Sequence, residues 1–102
     1  MNGLKVNLKQ DTEDKLRKVL SMYSDKDAFF RDVINYQITR IQKEQINIKA
    51  DLFDFEKKYG LTTKDFYNQY KSGKRGDDED VLIWAGIYEM YIGNKQKLSE
   101  IQ

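Results

Sequence analysis

The chain has 102 residues with no cysteine and no histidine, which excludes disulfides, thiolate metal sites and the commonest general base and metal ligand. Its 18 Lys and Arg nearly balance 17 Asp and Glu, so a net charge of +1 excludes binding of nucleic acid through bulk charge alone. A 39% hydrophobic fraction with one Trp, seven Tyr and five Phe argues against intrinsic disorder, although it is lean for a self-sufficient core in so small a chain. No apolar run approaches the roughly 18 residues of a membrane span. The opening MNGLKVNLKQ lacks the apolar core of a signal peptide, so the expected compartment is the cytoplasm.

In chain order, the first element is LKVNLKQ. Leu4, Val6 and Leu8 alternate with Lys5, Asn7 and Lys9, the period of a half-buried β-strand. No second good strand follows, so this one lacks a partner within its own chain. DTEDKLRKVLSMY then predicts a helix, with Asp11 or Thr12 as N-cap and Leu16, Val19, Leu20 and Tyr23 on one face. Ser24 or Asp25 restarts the chain as a second helix that meets no breaker until Gly60. Along it Ile34, Ile38, Ile41, Gln45, Ile48, Leu52, Phe55 and Tyr59 recur in steps of four and three, a coiled-coil-like seam with one polar interruption. Such a seam asks to be covered by a second copy or a partner. The β-branched INIK around Ile46 and Ile48 leaves a kink there as an open alternative.

KKYG ends this helix, and LTTKDFYNQYKSG predicts a third between a Thr62 or Thr63 cap and Gly73. KRGDDEDVLIWAGIYEMYIG is a basic turn, an acidic helix start and a fourth helix. Val81, Trp84, Ala85, Tyr88 and Ile92 share one of its faces, and Ile83, Ile87 and Met90 form a second stripe. The run Asp77–Asp80 lacks the alternating oxygens and glycine of a calcium loop, and reads instead as a cap with first-turn acids. SGKRG lacks the ending of a phosphate loop. No convergent catalytic set stands out, so no enzyme, no metal and no cofactor are expected.

A period-2 strand, a short helix and a longer helix, in that order over residues 4 to about 45, resemble the ribbon-helix-helix family of MetJ/Arc-type repressors. The resemblance implies a mainly α fold whose single N-terminal strand pairs with that of a second copy in a homodimer. Residues 1–50 would form the DNA-binding and dimerisation region, and 51–102 a helical extension. It further implies that Lys5, Asn7 and Lys9 face the major groove of an operator, and that Ser24 and Lys26 anchor a phosphate at the start of the second helix. The plainer alternative is an edge strand whose lysines only deter aggregation.

The C-terminal run from Tyr59 to Tyr91, with its YG turn, Phe-bearing helix, GDD turn and Trp-bearing helix, is similar to the C-terminal segment of small antitoxin-type proteins. That resemblance implies an antitoxin of a toxin–antitoxin system, a repressor of its own operon whose second half holds a toxin. Phe53, Phe66, Tyr67, Tyr70, Trp84, Tyr88 and Tyr91 are the candidate partner-binding residues, since aromatics concentrate at protein interfaces. Against this, Phe66, Tyr70, Trp84 and Tyr88 could simply build a three-helix core with Phe55 and Tyr59. The alternative function is an all-helical interaction adaptor that does not bind DNA.

Overall fold

A computed structural model describes residues 3–102, whose backbone forms four helices: α1 (Gln10–Leu20), α2 (Lys26–Tyr59), α3 (Thr63–Lys71) and α4 (Glu79–Ile101). Among the described residues there is no strand, and the segment from Gly3 to Lys9 has no regular secondary structure. This corrects the expected fold class: the regular structure of the described residues is all-helical, and none of them forms the N-terminal strand that a ribbon-helix-helix fold requires. The reason is physical. A strand exists through its ladder of backbone hydrogen bonds, and the alternation of Leu4, Val6 and Leu8 supplies a side-chain pattern without supplying a backbone partner. The mainly helical part of the expectation stands.

The chain divides into two units, Met1–Tyr36 and Gln37–Gln102. The break between them falls inside the span of α2. α2 remains helical without a break through INIK.

In the first unit, α1 follows Lys9, whose backbone is extended (φ −64°, ψ 152°) and whose side chain makes no cap bond. Asp11 and Glu13 in its first turn and Arg17 and Lys18 in its last complement the helix dipole. Arg17 donates to Glu13 one turn earlier, at 2.6 Å. At the head of α2, the Asp25 carboxylate accepts the Asp27 N–H at 2.9 Å and so caps the helix.

The second unit has a true core. Ile41, Gln45, Ile48 and Leu52 are the buried face of α2, which matches the predicted seam from Ile41 onward. What covers that face is α4 of the same chain. Lys58 bonds to Asp80, Gln45 Nε2 donates to the Tyr91 carbonyl at 3.0 Å, and Asn94 Nδ2 donates to Glu44 at 3.0 Å, so the two segments run antiparallel. The polar interruption at Gln45 is thus met by a backbone oxygen of the opposing helix.

Between them, α2 ends where the Glu56 carbonyl accepts from both the Gly60 and the Leu61 N–H, with Gly60 at φ 61° in the left-handed region that favours glycine. The α3 start is held twice. Thr62 Oγ1 accepts the Asp65 N–H at 3.2 Å, and the Glu56 carboxylate accepts the Thr63 N–H at 2.7 Å. Ile48, Leu52, Phe66, Val81, Trp84 and Ala85 form the continuous apolar centre.

Candidate functional site

The aromatic residues singled out in the sequence divide by depth. Phe66 is 0% exposed and Trp84 is 1% exposed. Their rings stack at 3.8 Å between centroids and 6° between planes, and Phe55 stacks on the indole at 5.4 Å. The indole Nε1 donates to Thr63 Oγ1 at 3.0 Å, which satisfies a donor that would otherwise be orphaned in the core. In this fold these two residues support a surface rather than form one.

Tyr67, Tyr70, Tyr88 and Tyr91 are half-buried against that centre. Tyr67 meets Tyr88 edge-on at 4.9 Å and stacks on Tyr70 at 5.8 Å, and its hydroxyl donates to Glu89 at 2.8 Å. That hydrogen bond, followed by burial, raises the Tyr67 phenol above its ordinary value. Phe53 alone of the seven is exposed, with the Lys57 ammonium 4.9 Å from its ring centroid. The tyrosines therefore present a partly wet aromatic band, while Phe53 stands apart from it on α2.

A second feature escaped sequence reasoning. Lys58 Nζ donates to Asp80 Oδ2 at 2.7 Å, and the Tyr59 hydroxyl donates to the same oxygen. These hydrogen bonds, that from Lys58 first, hold the Asp80 carboxyl below its ordinary value of 3.8. The bond to Asp80 in turn raises Lys58 above 10.5 and Tyr59 above 10.0. The cluster ties the end of α2 to the start of α4. Its signal in the sequence was only the acidic run before Val81, which gave no hint of partners 21 and 22 residues earlier.

The N-terminal unit has the opposite character. None of its described residues is buried. Leu4 is 81% and Val6 61% exposed, and Met22, Phe30, Val33 and Ile34 are exposed as well. Leu4, Val6 and Leu8, with Leu16, Leu20 and Phe30, line an open groove of about 830 Å³. Asn7 also lines the groove, whereas Lys5 and Lys9 lie outside its lining and are exposed. Among the described residues Lys5, Lys9 and Lys26 form no ion pair.

Ser24 is exposed in the bend before α2, and Lys26 is the first residue of that helix. The nearby Asp27 N–H, which a phosphate would have used, already serves the Asp25 carboxylate. Among the described residues no three His, Cys, Asp or Glu side chains converge as metal ligands, and no helix is long and apolar enough to cross a membrane. Comparison with family models, curated proteins and solved structures finds no match.

Proposed function

We propose that the protein is a homodimeric DNA-binding regulator of the antitoxin kind, whose N-terminal unit is completed by a second copy and whose C-terminal unit holds a partner protein, the cognate toxin. The observation that carries this reading is the N-terminal unit with no buried residue. A segment of some 36 residues without a core cannot hold its structure unaided. Fully covering a Leu or Val side chain contributes about 1.5–3 kcal/mol, and Leu4 and Val6 remain mostly uncovered. A two-fold contact counts each of them twice, and the exposed Met22, Phe30, Val33 and Ile34 add to it. That total is of the order needed against an association cost of roughly 4–15 kcal/mol. The contact envisaged is between side chains of the two grooves and requires no sheet.

The charges do not oppose such a pairing. Residues 1–36 carry seven cations (Lys5, Lys9, Lys15, Arg17, Lys18, Lys26, Arg31) and six acids (Asp11, Glu13, Asp14, Asp25, Asp27, Asp32). DNA contact is assigned to Lys5 and Lys9, exposed and outside the groove, whereas Asn7 lines the groove that the second copy would cover. The C-terminal unit, which has its own core, carries the partner on its half-buried tyrosines.

The test is titration of the full chain with duplex DNA from upstream of its own coding region and with scrambled DNA, at about 50 and 200 mM salt. Preference for the upstream duplex, with the salt dependence reduced by about one unit of slope for each of Lys5→Ala and Lys9→Ala, is the expected result. Equal weak binding to both duplexes contradicts the DNA reading. In that case the adaptor that dimerises without DNA is favoured, an alternative supported by Asp25 and Asp27 flanking the start of α2 with negative charge.

A further inference from the structure

The stripe Ile83, Ile87 and Met90 has no role in the core cluster's buried set, yet it is apolar and regular. Ile83 is 43% exposed, Met90 is exposed further along the same face, and Ile87 is half-buried. Within the C-terminal unit, Ile83, Ile87 and Phe55 floor a groove of about 360 Å³ between α2 and α4, and Asp51 and Asp54 form its α2 edge. Among the described residues these two carboxylates make no ion pair. Lys58, which also lines the groove, is held by Asp80 and so does not neutralise them.

We infer that this groove seats a basic amphipathic helix of the partner protein. The inference rests on the proposal that the C-terminal unit binds a partner, and names the chemistry of that partner. An apolar floor with Ile83 and Ile87 one turn apart on α4 and Phe55 beside them accepts a helix that presents apolar residues at the same spacing. Asp51 and Asp54 lie three residues apart, on one face of α2, so they meet Lys or Arg side chains one turn apart on the incoming helix. An acidic helix would set its carboxylates against theirs, and like charges across an interface weaken it and slow its formation. The occupant is therefore cationic on the flank that faces α2 and aliphatic on the face that enters the groove.

The experiment uses two labelled synthetic peptides of about 18 residues with the same leucine stripe, one with Lys and Arg and the other with Glu on the remaining face. Each is titrated with the full-length chain by fluorescence anisotropy. The expected result is binding of the basic peptide at least about tenfold tighter than the acidic one. The Asp51→Lys, Asp54→Lys double variant reverses that order, and Ile83→Glu weakens both peptides without changing the helical circular dichroism. Equal binding of the two peptides overturns the inference. So does basic-peptide binding that ignores Ile83→Glu, since it reports surface charge alone.

If Ile83→Glu instead dissociates the chain's own dimer, the occupant is a second copy and the inference is again overturned. The underlying reading fails separately. Capture of the protein encoded beside this one, unchanged by Ile83→Glu, overturns the groove and leaves the partner-binding reading intact, whereas no association between the two purified proteins contradicts that reading itself.

Discussion

Replacing Trp84 tests whether the aromatic stack is the keystone of the C-terminal unit. The indole is 1% exposed, lies 3.8 Å from Phe66 and 5.4 Å from Phe55, and donates to a buried Thr63. Truncation of a buried Phe or Trp to Ala costs about 3–5 kcal/mol through lost transfer energy and the cavity left behind. A unit of this size has a total stability of only roughly 3–10 kcal/mol, so Trp84→Ala should remove about a third or more of it. Thr63→Val isolates the polar part. It keeps the volume but strands the indole N–H, at a cost of about 1–3 kcal/mol. Trp84→Phe removes the donor, so once it is in place Thr63→Val should cost about 1 kcal/mol less than it does in the wild type. Urea denaturation followed by circular dichroism gives each value, and the single Trp reports the Thr63 variant by fluorescence as well. A loss below about 1 kcal/mol for Trp84→Ala would refute the assigned packing.

The Lys58–Tyr59–Asp80 cluster sets two pH limits. The Asp80 carboxyl is depressed in the fold, so its contribution is present above the ordinary value of 3.8 and is lost as pH falls through the lower folded value. Lys58 and Tyr59 are raised, so theirs is present below 10.5 and 10.0 and is lost as pH rises through the higher folded values. The melting temperatures of wild type and Asp80→Asn should therefore differ at pH 7 and converge at both extremes; a gap that persists in acid counts against the cluster. Gly60→Ala places a Cβ at φ 61° with no neighbour to clash with, so backbone strain alone should cost about 1–2 kcal/mol in urea titrations. A neutral result would show that α2 does not end in the left-handed turn.

The end of α2 and both ends of α3 were legible because their signals are local, whereas α1 begins at Gln10 after Lys9, ahead of the Asp11 or Thr12 cap expected from the sequence. Thr62, Gly60 and Gly73 act through bonds to residues within a turn or two, and each lies where the sequence places it. The seam through Ile41, Gln45, Ile48 and Leu52 was equally legible as a face that must be covered. What covers it was not, since periodicity describes one helix and carries nothing about its neighbour. Gln45 reads as a defect until Tyr91 is brought opposite it.

The aromatics divided in a way that residue type cannot reveal. Phe66 and Phe53 are chemically the same, yet Phe66 stacks on Trp84 in the core while Phe53 stands exposed on α2, off its buried face. The opening segment misleads because alternation over six residues reads as a strand. The same alternation equally suits a segment whose Leu4, Val6 and Leu8 lie along a groove. The acidic edge formed by Asp51 and Asp54 was invisible for a related reason: two aspartates on a long charged helix acquire meaning only beside Ile83 and Ile87.

The central claim is that the N-terminal unit needs a second copy, and sedimentation equilibrium of the full chain over a range of concentrations tests it most directly. The expected mass is twice the chain's 12.1 kDa, returning to the single-chain value when Val6→Asp and Leu8→Asp put charge into the groove. A mass of 12.1 kDa at every concentration, with α1 still protected from hydrogen exchange, would contradict it.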